Sequence, residues 1–588
     1  MQTTWNLKKF FYTSIHDPQI KKDVEAMKHA FVAFEKKYIK NDSYLKSPAG
    51  LKSALLESEK LAKVVASAKP LMYLSYMKEL DSSNTEIEAL LNKYSLEMTA
   101  YENRVLFFDI RLGKIPLTMQ KKMLASKELA PWHYMLKKSF DTAKYDLTEP
   151  EEKILNLKSL TSRSMWVEGV DRVVNKMTIS YKKREVPINE ALSLASSASN
   201  RAERLELHKR ILEKLEFAGD FAESEMNAIV TDKKISDELR GFAHPYSATV
   251  LGYQNEEKPI LALVDTVTRA FPISHRFYKL KAKLLKLKKL SYADRSASIG
   301  KTKTKISFAD AVARYREVLV GIDPEYVAIL DTFVRDGHID VYPKKGKSGG
   351  AYCSSSPFSP TLVLLNHTDD FKSFMTLAHE MGHAIHAEMS KRQPLQYQGH
   401  TISVAETAST LFEQLTFEAV FKTLTADEQL VALHDRINDD ISTIFRQIAF
   451  FNFELELHTT IRAKGKMSYK EIGALLNKHM ASYLGPAIAL QPQDGNFFIV
   501  VSHFRRFFYV YAYAYGQLIS RTMSELFTAN KSFAPKIKQF LTDGESKSPE
   551  QIFKDIGINT SNPDFFKKGL QSVERDIVRL EKLVSKMK

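Results

Sequence analysis

A chain of 588 residues, 44% hydrophobic and 26% charged, is long enough to bury a large core and too apolar to be mainly disordered. Its 85 Lys+Arg against 70 Asp+Glu give a net charge of +15, but without a long basic block this reads as a lysine-rich solvated surface, and no nucleic-acid partner is expected. One cysteine, Cys353, excludes an intramolecular disulfide and a cysteine-built zinc site.

Met1 to Lys9 lacks the apolar core of a signal peptide, and no run approaches the roughly twenty apolar residues of a membrane span. The expected location is the cytoplasm, with no transmembrane segment and no obligatory protein partner.

The periodicity is helical almost throughout to about residue 190, punctuated by Pro18, Pro48, Pro70, Pro116, Pro131 and Pro150. Thr148-Glu149-Pro150 has the form of a helix start, with Thr148 as cap and proline in the first turn. No cluster here has the chemistry of a site. Residues 1–190 therefore read as an architectural N-terminal helical region, and 191–588 as the helical region that holds the candidate site described below. The serine-rich Ser193 to Ser199 reads as a helix with small residues. Lys279 to Leu290, with Phe277, Leu280, Leu284 and Leu287 on one face, is amphipathic and suits a membrane surface or, more commonly, inward packing. Gly300-Lys301-Thr302 lies in a polar connection and lacks the upstream glycine of a phosphate loop, since Arg295 stands there.

From Gly337 the pattern changes. Ile339 to Tyr342 alternates like a short strand, Lys344 to Tyr352 reads as a flexible glycine-containing loop, and Pro360 to Asn366 as a buried strand. An exposed edge of that strand would hold an extended peptide by main-chain hydrogen bonds. The loop would close over it, which makes Gly349, Gly350 and Tyr352 expected substrate contacts. The fold class is mainly α, with this small β element at about 337–366 as the exception.

Directly after the strand comes Leu377-Ala378-His379-Glu380-Met381-Gly382-His383, an H-E-x-x-H pattern. Phe374, Leu377, Met381 and Ile385 form an inward stripe, so the segment reads as helix independently of the motif. His379 and His383 then share a face and offer two imidazoles to one zinc ion, with Glu380 beside it as base. A catalytic zinc takes three protein ligands and keeps one position open. Glu406 is the expected third, on a helix whose Ala405, Ala408 and Ser409 permit close approach. Glu388 lies too near along its own helix. Glu413, two turns beyond Glu406, fits a partner that orients a histidine. His386 either touches substrate or, as such residues more often do, packs. In this reading Glu380 takes a proton from the zinc-activated water and passes it to the leaving nitrogen.

His503 and the tyrosines of Phe507 to Gly516 are candidate donors to the oxyanion. If the stretch is one helix, Tyr511 is nearest in phase to His503 and is taken as the donor, with Tyr509 and Tyr513 among the substrate-binding residues. If His503 lies in a preceding loop, Tyr509 or Tyr513 is an equal candidate.

Trp5-Asn6-Leu7 with Asp17-Pro18, Gly346-Lys347, Gly350-Ala351-Tyr352, the H-E-x-x-H block, Glu406 to Thr410, Phe445 to Ala449, His503-Phe504 and Phe508 to Ala514 follow one another in a fixed order. Through these blocks the sequence resembles, nearly end to end, the oligoendopeptidase F branch of the thimet oligopeptidase family of zinc peptidases. The resemblance implies a multi-helix body split by a deep channel, one zinc ion at its floor, and cleavage inside short peptides. It carries the ligands onto His379, His383 and Glu406, the catalytic carboxylate onto Glu380, and the transition-state donors onto His503 and a nearby tyrosine. Met381, Ser348-Gly349 and Phe497-Phe498 depart from the family's usual residues and bear on peptide preference. The competing readings are a helical zinc carboxypeptidase and, from another class, a peptide-binding or membrane-associated helical protein with a structural metal.

Overall fold

The structure is a computed structural model that describes residues 1–67 and 69–586. Helices form most of it, as the 3.6-residue apolar periodicity requires, and the sheets among the described residues have two or three strands. The chain makes two compact units. Met1–Glu149, Thr304–Ala419 and Leu526–Ile552 form the first; Pro150–Lys303, Val420–Glu525 and Phe553–Lys588 form the second.

None of these breaks falls at residue 190. The N-terminal helices share their unit with the H-E-x-x-H segment because they build the wall behind its strands. Trp5 Nε1–H donates to the Val363 carbonyl at 2.8 Å, and the Val341 N–H donates to the Thr3 carbonyl at 3.0 Å. Tyr73, Leu74 and Tyr76 join Trp5 and Leu7 in one core cluster with Leu362 and Leu364. At the far end of the sequence the helix Pro563–Lys586 matches the expected Gln571–Lys588 as far as the described residues run.

The first unit carries a three-stranded sheet of β1 (Ile339–Asp340), β2 (Tyr352–Ser354) and β3 (Leu362–Leu364). The fully buried β3 is its centre, parallel to β1 and antiparallel to β2, with Cys353 opposite Val363. The strand expected at 360–366 is therefore present but offers no edge; the outer strand on one side is β2, which starts at Tyr352, the last residue of the expected loop. After β3 the chain enters α1 (Phe371–Ser390), whose Asp370 cap accepts the Ser373 N–H at 2.8 Å. The predicted stripe of Phe374, Leu377, Met381 and Ile385 is wholly buried. Helix α2 (Ile402–Phe421) follows.

The second unit contains α3 (Arg446–Lys464) and α4 (Tyr511–Ala529), the latter continuing past the unit's break at Glu525. It also holds a hairpin, Thr178–Tyr181 with Arg184–Pro187, in a stretch expected to be helical. Its two-residue turn is Lys182-Lys183, both left-handed at φ 47° and 67°, where such turns ordinarily carry Asn-Gly. The helix Phe271–Leu284 packs inward through Phe277 and Ala282, while Leu280, Leu284 and Leu287 of the expected face are only half-buried; Lys281 is buried as well and donates to the Arg295 carbonyl at 2.6 Å and to Asn438 Oδ1 at 2.9 Å. Among the described residues no helix is long and apolar enough to cross a membrane.

Candidate active site

Helices α1 and α2 cross at Gly382. A Cβ at this position would lie 2.8 Å from the Ser409 Cα and 3.2 Å from the Ala408 carbonyl oxygen, so only glycine fits against the small residues of α2. That approach brings Glu406 against the histidine face of α1. Glu406 Oε2 is 3.8 Å from His379 Nε2, and the rings of His379 and His383 lie 5.1 Å apart at 80°. Ligand atoms of His379, His383 and Glu406 all fall within 4.8 Å of one another.

A two-histidine, one-carboxylate set is a known catalytic zinc triad, and tetrahedral bonds of about 2.0–2.1 Å space their ligands roughly 3.3 Å apart. The 3.8 Å pair closes to that spacing with a shift of about 0.5 Å, within the reach of a glutamate rotamer. The residues present therefore fit the ion. His379 Nδ1 is engaged by Glu413 Oε2 at 2.9 Å, which leaves Nε2 for the metal, as expected of a histidine oriented from behind by a carboxylate.

Charges here are strongly coupled. Burial works against protonation of His379, but the hydrogen bond and charge of Glu413, with Glu380 and Glu406 nearby, push its pKa up to about 9. Burial, together with repulsion by His379 and His400, pushes His383 well below the usual range. Burial also raises Glu406, and lifts Glu380 to about 7 against the attraction of His379, with Glu406 and Glu413 adding to the rise. Glu380 is only 7% exposed, and the main-chain N–H of Cys353 on β2 holds part of its rise in check. This link between the outer strand and Glu380 carries no sequence signal, because a main-chain donor leaves none.

Glu388 and His386 are engaged elsewhere. Glu388 Oε1 accepts from the Thr361 hydroxyl at 2.5 Å and from Lys391 Nζ at 2.6 Å. His386 is fully buried and stacks on His400 at 4.3 Å and Phe540 at 5.5 Å, the packing role.

The glycine loop is tied down where flexibility was expected. Ser348 N–H donates to the Glu79 carbonyl at 2.8 Å, and Asn366 Nδ2 donates to the carbonyls of Ser348 and Gly350 at 2.9 and 2.8 Å. Lys347 has its side chain fully buried, donating to Leu365 O at 2.5 Å and pairing with Asp340 at 2.7 Å. Gly349 and Gly350 stay exposed with open space around them, while the Tyr352 ring turns to Trp5, 6.4 Å away.

In the second unit His503 lies in a short 3-10 turn, Ser502–Arg505, ahead of α4. Its Nδ1 meets the Tyr509 hydroxyl at 2.5 Å, and that hydroxyl lies 3.4 Å from the hydroxyl of Tyr513. Tyr511 is not part of this group: it is fully buried and donates to Asn255 Oδ1 at 3.0 Å. The helical phase that favoured it fails because Phe507 and Phe508 are left-handed, at φ 43° and 59°, and α4 begins only after them. Burial, reinforced by Arg446 and Arg506, lowers the His503 pKa to about 4.

The model for Peptidase family M3 matches residues 195–572, and that for oligopeptidase F matches residues 112–178. The chain is 24% identical over 547 residues to an oligoendopeptidase F homolog of Lactococcus lactis subsp. lactis (strain IL1403), covering 91% of this chain and 90% of that protein. A crystal structure of a protein from Chlamydophila abortus is similar in fold with a TM-score of 0.84 at 21% identity, covering 99% and 98% of the two chains. That of oligoendopeptidase-F from Enterococcus faecium gives a TM-score of 0.73 at 18% identity, covering 96% and 98%.

Proposed function

This chain belongs to peptidase family M3, and we propose that it cuts internal bonds of short peptides with one zinc ion held by His379, His383 and Glu406. It is a peptidase of oligopeptides. The observation that carries the finer reading is the convergence of those three ligands on two crossing helices with the buried Glu380 beside them.

Zinc, when bound, supplies a Lewis acid that acidifies water and polarises a carbonyl. The chain's own residues do the rest. Glu413 accepts the Nδ1–H of His379 and fixes which nitrogen faces the ligand cluster. Glu380, lifted to about 7, lies in the range where a carboxylate takes a proton from attacking water and returns it to the departing nitrogen. The Cys353 N–H steadies that carboxylate between the two transfers. Neutral His503, its Nδ1 accepting from the Tyr509 hydroxyl, carries its proton on Nε2 and is a donor for the oxyanion, with Tyr513 in reserve beside Tyr509. An extended substrate is read by its main chain along the outer strand β2, next to the exposed Gly349 and Gly350. A single cysteine fits a reducing compartment, and the cytoplasm is the proposed location.

The test is mass spectrometry of peptide mixtures that include C-terminally amidated members, digested with and without a chelator. Internal cuts that vanish on chelation and return with zinc are expected. Loss of C-terminal residues alone, or cleavage indifferent to the chelator, refutes the reading.

A further inference from the structure

Between His503 and Tyr509 the chain makes a turn that its residue types disfavour. Phe507 and Phe508 are both left-handed, at φ 43° and 59°, a region where bulky side chains are rare. Such backbone persists only where its surroundings over-determine it. Those surroundings are built. Phe508 N–H donates to Glu454 Oε1 at 2.9 Å, and the Phe507 carbonyl accepts from the Thr249 hydroxyl at 3.0 Å. The His458 ring lies 4.9 Å from the ring of each phenylalanine, and the Arg163 guanidinium sits 4.9 Å over that of Phe507.

Glu454, on α3, is the unusual member. It is fully buried, and its second oxygen, Oε2, has no hydrogen-bond partner among the described residues. A buried carboxyl without a counter-ion is costly. Stability alone would be better served by an apolar residue at 454 and glycine at 507 or 508. The His503 side of the turn is anchored without it: Arg505 forms two hydrogen bonds to Glu225, at 2.8 and 2.5 Å, and donates to the Phe498 carbonyl at 2.6 Å. What Glu454 holds is the Tyr509 side.

We propose that Glu454 is a positioning residue that, by accepting the Phe508 N–H, fixes the left-handed turn in which the Tyr509 hydroxyl meets His503 Nδ1. The inference rests on the reading that His503 and Tyr509 serve peptide hydrolysis. It extends that reading to a residue that touches neither side chain.

The experiment measures kcat and KM of the zinc-loaded full chain carrying Glu454→Leu, Glu454→Gln, Tyr509→Phe, His503→Ala and the Glu454→Leu/Tyr509→Phe pair. Tyr509→Phe and His503→Ala are expected to lower kcat at least ten-fold. Glu454→Leu should lower it ten- to hundred-fold with KM within three-fold, and Glu454→Gln, whose amide oxygen still accepts, should stay within three-fold of the parent. The double variant should be no worse than Tyr509→Phe alone, because the clamp acts through that hydroxyl. Parental kcat in folded Glu454→Leu, a Gln variant as impaired as the Leu variant, or losses that multiply in the pair each overturn the proposal. If His503→Ala and Tyr509→Phe both keep full activity, the underlying reading falls and this inference with it. If both lose activity while Glu454→Leu does not, this inference alone falls. Should Glu454→Leu fail to fold, Glu454→Asp replaces it: the acid is kept but falls one methylene short of Phe508, so Asp should lose activity where Gln does not, and the reverse order refutes.

Discussion

Gly382→Ala tests whether the metal site depends on how closely α1 and α2 approach. The added Cβ would sit 2.8 Å from the Ser409 Cα, 3.2 Å from the Ala408 oxygen and 3.2 Å from the Phe412 Cβ, and none of these is the flexible end of a side chain. Reaching an ordinary 3.4 Å contact requires the helices to part by about 0.6 Å, an overpacking that costs about 1–3 kcal/mol. The Glu406 side chain already has to close the 3.8 Å to His379 by about 0.5 Å to hold an ion, and parted helices add to that reach. The combined misfit is about 1 Å. Zinc affinity should fall at least ten-fold, about 1.4 kcal/mol. The thermal midpoint of metal-free protein should drop by roughly 2 °C per kcal/mol lost. Competition with a zinc-chelating dye and paired melting curves measure both. A zinc Kd within two-fold of the parent together with an unchanged midpoint would show that the helix crossing does not set the site.

Glu380→Gln keeps the size of the side chain and an oxygen for the Cys353 N–H but cannot accept a proton, so kcat should fall about 10²–10⁴-fold with zinc retained. Steady-state kinetics with metal analysis checks this, and unchanged turnover refutes the assignment. Burial lifts Glu454 to about 8, against the pull of the Phe508 N–H, so the folded state holds a proton that the unfolded chain releases above about 4.3. Its contribution to stability is whole below that value and is lost as pH rises through about 8. The melting-point difference between Glu454→Gln and the parent should therefore grow in favour of Gln from pH 5 to 8 and level off above; a constant difference contradicts the assignment.

What could be read in the sequence follows the range of the interactions. His379, Glu380 and His383 lie on one helix, where spacing alone sets their faces, and Asp370 caps that helix by the ordinary local rule. Glu406 and Glu413 were reachable because the small residues of α2 announce a close crossing; Gly382 is the other half of it. Helical phase points to the wrong tyrosine, Tyr511, because Phe507 and Phe508 break the helix with a left-handed backbone that no local preference announces. The strand β2 was hidden by its shortness and by the glycines before it, and the role of the first 149 residues by contacts such as Trp5 to Val363 that span 358 positions.

The charges around the ligands give a reason for the whole arrangement. Three carboxylates, Glu380, Glu406 and Glu413, surround His379, and Glu406 and Glu413 add to the burial that lifts Glu380. With only the side chains present, the cluster relieves this repulsion by keeping His379 protonated, to a pKa of about 9. A ligand imidazole must give up the proton on the nitrogen that binds, so at neutral pH a divalent cation and a proton compete for His379 Nε2. Glu413 takes the same Nδ1–H hydrogen bond in either case, so exchange of the proton for the ion needs no rearrangement of the ring. The carboxylate that makes His379 basic is thus also the one that keeps it aimed, which gives a reason for a third acidic residue beside a site for which only Glu406 is proposed as a carboxylate ligand.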